Sequence, residues 1–351
     1  MTTTDPAPKP GAAGPTPAAA RRRRILWRIA LVVVGLVLVA LALAWAFGPR
    51  EPVRLDTRFD PAVIGTDPVA YLAGEEANVP NLRPQAEKEI VWAYPASRAK
   101  TPLAIVYIHG FSASKGETRP LADDVARALG ANLFYTRLSG HGRDAAAMEQ
   151  AEVGDWIDDF AEAMAVGRAI GERVVVIGTS TGATLSTVAA SRPDLSEGLA
   201  ALIEVSPNFA LRDWRSFLLT VPFARELMPY LSSQTYGSER PAAEAATGVW
   251  TATYPTAALL PMARLTEVAN GLDVSAIRTP ALFVYSLRDE VVRPERTEAI
   301  AARWGGPHET ILVDDSTDPS QHVIAGDIRS PATTEPLARR IADWLRRTLG
   351  T

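Results

Sequence analysis

Seven short apolar runs rich in β-branched residues, at 90–94, 103–108, 132–135, 174–177, 200–205, 281–285 and 310–313, mark out the chain beyond residue 90. Between most of them stand stretches of helical periodicity, at 119–129, 153–170, 182–190, 294–304 and 336–349. Runs that are apolar at every position describe strands buried on both faces. Alternation with helices then requires a mostly parallel, twisted sheet with helices on both sides. In such a sheet ligands gather at the carboxyl ends of the strands, so chemistry is expected in the loops that follow the runs. One interval breaks the rhythm. About 75 residues between 205 and 281 lack a clear strand yet carry Trp214, Phe217, Phe223, Met228, Trp250, Leu259 and Met262. Too long for a crossover and too apolar for a plain loop, residues 207–272 read as a helical cap lying over the strand ends.

The run at 174–177 leads into Gly178-Thr179-Ser180-Thr181-Gly182, followed by a helical pattern. A G-x-S-x-G turn between strand and helix holds its serine in a sharp backbone bend, and glycines on either side let neighbouring backbone approach. Serine is also a preferred helix N-cap, so Ser180 needs partners before it means more. The chain has no cysteine and four histidines, which leaves chemistry to Ser, Asp, Glu, Lys and His. His109 and His141 stand in glycine turns and read as structural, and His308, beside Pro307, as a surface residue. His322 follows the last run and is the histidine placed to act as a base. Among the acids, Asp289 directly follows the run at 281–285; Glu290, Asp314, Asp315 and Asp318 compete with it, and position after the strand favours Asp289.

With His109-Gly110-Phe111, Leu138-Ser139-Gly140-His141-Gly142, Trp156 with Asp159, the Ser180 turn, Asp289 with Val291 and Val292, and His322 in view, the chain resembles the α/β-hydrolase superfamily over roughly residues 88–350. More narrowly it resembles the capped esterase and monoacylglycerol-lipase-like branch, also described as serine aminopeptidase-like or lysophospholipase-like. The resemblance implies an α/β-hydrolase fold with a cap insertion and a triad in the chain order Ser180, Asp289, His322. It also implies an oxyanion hole formed by the backbone N–H groups of Phe111 and Thr181. The activity it implies is hydrolysis of carboxylic esters, acyl or monoacylglycerol-like, through an acyl-serine intermediate. An amidase or aminopeptidase acting on short peptides with the same triad is the alternative, and a non-catalytic binding module of this fold a third reading.

The amino-terminal region has a different character. Residues 1–20 are mostly Thr, Pro, Ala and Gly, Arg21 to Arg24 follow, and the 19 residues from Ile29 to Phe47 carry no charge. A helix of that length spans about 28 Å, close to the hydrocarbon thickness of a bilayer. The expected organisation is therefore a disordered basic tail (1–24), a transmembrane signal-anchor helix (25–47), a linker and extension (48–84), hydrolase core (85–206), cap (207–272) and core again (273–351). Arginines before the span keep that end in the cytoplasm and place the catalytic domain outside. Small-x-small triplets between Ala40 and Ala46 leave a cleaved signal peptide, and hence a secreted or periplasmic enzyme, as the alternative. Residues 1–47 hold six basic groups and one acidic group, so the rest carries 30 basic against 39 acidic. An acidic body argues against a nucleic-acid partner. No metal-ligand or phosphate-loop spacing occurs, so no cofactor is expected, and the partners are a small-molecule ester and the membrane.

Overall fold

The computed structural model describes residues 17–231, 235–237 and 242–350. It comprises two separate units, 1–49 and 50–351. The first contains helix α1 (Pro17–Phe47). Within it the 27 residues Arg21–Phe47 contain an 18-residue window of mean hydropathy 2.9 with no residue of it buried, a length and composition suited to crossing a membrane. The helix takes in residues 17–24, which the sequence reading left in the tail, because alanine and arginine are strong helix formers and nothing between them and the apolar run breaks the helix. The expectation of disorder for 1–16 lies outside the described residues.

The second unit runs α2 (Pro68–Ala77), β1 (Glu89–Val91), β2 (Thr101–Ile108), α3 (Leu121–Leu129), β3 (Asn132–Tyr135), α4 (Ala145–Gln150), α5 (Val153–Ile170), β4 (Gly171–Thr179), α6 (Thr181–Ala190) and β5 (Leu199–Val205). It continues with α7 (Ala224–Leu231), β6 (Thr235–Gly237), α8 (Ala242–Ala245), β7 (Thr253–Pro255), α9 (Leu259–Gly271), β8 (Ala281–Tyr285), α10 (Pro294–Ala301), β9 (His308–Leu312) and α11 (Pro331–Leu349). Seven strands form one sheet in the order β1-β3-β2-β4-β5-β8-β9. Only β1 is antiparallel to its neighbour. The central strands are apolar over most of their length because each feeds two cores. In β4, Val174 and Val176 pack with α5, α6 and α9, whereas Val175 and Ile177 pack with α3 and α11. Each such buried valine or isoleucine contributes roughly 1.5–3 kcal/mol of transfer free energy. The chain leaves β2 for β3 on one side and returns to β4 on the other, which makes the carboxyl ends of β2 and β4 the switch point where a crevice opens.

Within the expected linker and extension, residues 54–76 are held to the rest of the second unit: Arg54 pairs with Asp158 of α5 at 2.6 Å, the Tyr71 hydroxyl donates to Glu162 at 2.8 Å, and Glu76 pairs with Arg137 at 2.7 Å. Asp67 caps α2 by accepting from the N–H groups of Val69 and Ala70. The region expected to form a helical cap also contains a two-stranded antiparallel ribbon, β6 with β7, between α7 and the start of α9. Helix α9, inside the predicted cap boundary, packs on α6 and α5 and buries Leu259, Leu260, Met262 and Leu265 in the main core. An amphipathic pattern reports that a helix has a buried face without naming what buries it, so pattern alone cannot separate α9 from the cap.

Candidate active site

Ser180 sits between β4 and α6 with φ 52° and ψ −113°, a left-handed conformation that is strained for a residue with a side chain. Its surroundings enforce the bend. Its N–H donates to the carbonyl of Val205 at 2.8 Å, and its own carbonyl accepts from Thr184 and Asn208. A Cβ on Gly182 would lie 2.2 Å from the Ile108 carbonyl oxygen, and one on Gly178 2.7 Å from backbone atoms of Ala183. Both glycines are therefore set by backbone contact. Although Ser180 occupies the N-cap position of α6, its side chain makes no cap hydrogen bond. Its Oγ instead lies 3.0 Å from His322 Nε2.

His322 lies on the loop between β9 and α11, and its Nδ1 is 2.7 Å from Asp289 Oδ2. Asp289, on the loop after β8 and 1 % exposed, accepts the N–H groups of Val291 and Val292 on its other oxygen, at 2.8 and 2.9 Å. A buried carboxylate held by two donors cannot turn away from the imidazole. Among the competing acids, Glu290, Asp314 and Asp315 are exposed. Asp318 is buried but faces the histidine's backbone, accepting the N–H groups of His322 and Val323 at 3.0 and 2.9 Å and pairing with Arg329 at 2.8 Å. Burial works against a charged imidazole at His322, but the charge and hydrogen bond of Asp289, with Glu117 and Asp318 behind them, outweigh it and hold the pKa above 6.5.

The other histidines separate cleanly. His109 Nε2 accepts the Leu138 N–H at 3.1 Å while Nδ1 donates to the Gly110 carbonyl at 2.8 Å, and burial pushes its pKa down to about 4. His141, also driven down by burial, packs against both His109 and Phe111 at ring distances of 5.0 and 5.4 Å. Together they brace the Phe111 loop from beneath. His308 is exposed. Asp159 holds the Ser139 N–H at 2.6 Å, and burial raises its pKa to about 7.

Phe111, Thr181, Ser180 and His322 open into one cavity of about 660 Å³. The cap region supplies most of its apolar wall through Leu211, Leu218, Met228, Trp250 and Tyr254, with Met262 of α9 beside them. Sequence reasoning missed three contributors. Glu117, also on the cavity wall, accepts the Gly110 N–H at 2.7 Å and so braces the turn carrying Phe111. Arg329 links Asp318 to Glu244 of α8, joining the histidine loop to the cap. Asn208 lines the cavity beside the Ser180 turn. None stands in a motif, and each becomes visible only when distant loops converge. Among the described residues no group of histidines and carboxylates could hold a metal ion.

A profile of the family described as serine aminopeptidase, S33, matches residues 99–316. The thermostable monoacylglycerol lipase of Bacillus sp. (strain H-257) is 29 % identical over 209 residues, covering 59 % of this chain and 79 % of that lipase. Among solved structures, one from the study of the metagenome-derived lipolytic enzymes LipS and LipT superposes with a TM-score of 0.62 at 22 % identity, covering 76 % of this chain and 99 % of the other. A soluble variant of the Saccharomyces cerevisiae monoglyceride lipase, bound to a substrate analogue, superposes with a TM-score of 0.57 at 12 % identity, covering 75 % and 91 %. At these identities the two structures speak to the fold.

Proposed function

Because the chain belongs to the serine aminopeptidase S33 family and is a serine ester hydrolase of the lipase and esterase kind, we propose that Ser180 attacks the ester carbonyl, with His322 as its base and Asp289 as the partner of the imidazole. A serine hydroxyl is a weak nucleophile, so His322 takes its proton as the tetrahedral intermediate forms and returns it to the leaving alcohol. Asp289 fixes the tautomer that leaves Nε2 free and stabilises the imidazolium. The N–H groups of Phe111 and Thr181 receive the oxyanion, each worth roughly 10²- to 10³-fold in rate. Water then releases the acid from the acyl-serine by the same proton path.

The observation that carries this reading is the unbroken hydrogen-bonded chain from Ser180 Oγ through His322 to Asp289, ending at the wall of a capped, largely apolar cavity. The Bacillus relative is a monoacylglycerol lipase, and the apolar wall suits acyl esters of medium chain length or monoacylglycerols. The cysteine-free domain works outside the cytoplasm, held to the membrane by α1. In the test, Ser180→Ala removes both p-nitrophenyl ester hydrolysis and labelling by a fluorophosphonate probe; labelling that persists in this variant sinks the assignment. The Glu117 carboxylate on the cavity wall favours, as a second reading, substrates carrying an amine. Turnover of an aminoacyl amide beside an acyl ester separates the two.

A further inference from the structure

Among the described residues of the second unit, thirteen large apolar side chains are exposed, and six of them fall within 214–231. Scattered singly such residues need no explanation, but a concentration of them marks a surface that meets something apolar. The six lie on two adjoining elements. Trp214 and Phe217 stand three residues apart on the 3₁₀ helix Trp214–Leu219, where that spacing shares a face, and their rings stack at 6.2 Å. Along α7 and the residue before it, Phe223, Leu227 and Tyr230 keep the i, i+4, i+7 spacing of one helical face, while Ala224 and Met228 take the buried face. Tyr230 is 87 % exposed and Trp214 69 %. Leu231 completes the set and also lines the cavity over Ser180, as do the exposed Arg215 and Tyr236, so the cavity reaches the surface beside these stripes.

The start of the second unit indicates what covers this face. Residues 48–50 are all that separates the end of α1 from Glu51, at most about 14 Å of extended chain. Glu51 is buried and fixed on the cap: Arg225 of α7 donates to both of its carboxylate oxygens, at 2.6 and 3.1 Å, and Arg264 of α9 to its carbonyl at 3.3 Å. Whatever angle α1 takes, a bilayer crossed by it therefore lies within reach of α7. The side chains suit that neighbour. Tryptophan and tyrosine concentrate where hydrocarbon meets headgroups, and the charges flanking the stripes, Arg215 and Glu226, limit the face to that depth.

We propose that this face of the cap, carrying Trp214, Phe217, Phe223, Leu227 and Tyr230, rests in the headgroup layer of the bilayer crossed by α1. The cavity mouth then opens onto lipid, and the ester that reaches Ser180 is an amphiphile taken from the membrane. This rests on α1 as a span and on the ester-hydrolase reading above. Because α1 already confines the domain to the surface, the face adds orientation rather than attachment, turning the mouth towards its substrate.

The chain has no cysteine, so a single introduced one takes a label at a chosen position. The full chain is reconstituted in phosphatidylcholine vesicles as Phe217→Cys, Tyr230→Cys and Tyr94→Cys, each carrying an environment-sensitive nitrobenzoxadiazole group. Tyr94 is as exposed as Phe217 but lies beside the amino end of β3. Labels at 217 and 230 are expected to emit at shorter wavelength than the label at 94 and to be quenched by lipid spin-labelled near the headgroup. Equal spectra at the three positions overturn the proposal. So does a blue shift without lipid quenching, which a second copy seated on the face would give. In the triple variant Trp214→Ser, Phe217→Ser, Tyr230→Ser, turnover of monooleoylglycerol held in the vesicles is expected to fall about tenfold, with hydrolysis of dissolved p-nitrophenyl butanoate unchanged. Undiminished turnover of the monooleoylglycerol, or an equal loss on both esters, overturns the role of the face. The premises fail separately: a chain left in the supernatant when the vesicles are sedimented removes α1 as a span and the docking with it. A wild type whose labels are quenched but which turns over neither ester keeps the docking and removes the hydrolase reading.

Discussion

In the proposed mechanism His322 must be neutral to accept a proton, so its charge state would set the acid side of the activity profile. Burial disfavours the imidazolium, but Asp289, aided by Glu117 and Asp318, holds the pKa above 6.5. A raised histidine pKa stabilises the fold fully below the unfolded value and loses that stabilisation as pH rises through the folded one. For activity the expected outcome is an acid limb of kcat/KM with its midpoint above 6.5. In Asp289→Asn that midpoint is expected to move down while kcat falls roughly 10³- to 10⁴-fold, as in other triads with the wrong tautomer; an unmoved limb would separate Asp289 from the base. Glu204 on β5 gives a second residue-scale case. It is wholly buried, one oxygen lies 3.3 Å from the Thr187 hydroxyl, and the other has no partner among the described residues. Burial raises its pKa well above 4.5, so the folded chain holds the proton that the unfolded chain releases. Stability therefore falls as pH rises from about 4.5 towards the folded value. Glu204→Gln keeps a neutral side chain at the site, and its thermal midpoint is expected to exceed the wild type's at pH 8 and to depend less on pH.

At the scale of elements, the buried strands were legible because they stand in the sequence as short, largely apolar runs, and β3 and β8 match the predicted spans end to end. The ribbon strands β6 and β7 were not, being three residues each with no apolar run. Helix α2 likewise lacks a strong pattern, and what holds it is charge. Arg137 and Glu76 are 8 % and 10 % exposed in their side chains, a buried pair rather than a surface one. Removing one partner of a buried pair leaves an uncompensated charge at a cost of about 3–5 kcal/mol. Glu76→Ala is expected to lower stability by that order in urea unfolding. A loss no larger than that of an exposed pair would mean that Arg137 reaches water once α2 loosens.

At the scale of the whole molecule, the chain divides between a helix built for lipid and a domain built around a sheet. The full chain is expected to sediment with membranes, to resist carbonate extraction and to yield to detergent. Protease added to intact bacterial cells stripped of any outer barrier is expected to digest the domain; protection there would reverse the topology, and release without detergent would favour a cleaved signal. The sequence by itself determined what depends on local periodicity and on neighbours along the chain. It announced the apolar span, the parallel sheet, the strained serine turn and the order of serine, acid and histidine, since strand ends point to where loops must meet. Only the tertiary structure decided which carboxylate faces the imidazole and which holds its backbone. It also decided that α9 belongs to the core and that Glu117, Arg329 and Asn208 reach the cavity beside Ser180. Those outcomes turn on side-chain direction and burial where distant loops converge, and separation along the chain carries no record of either.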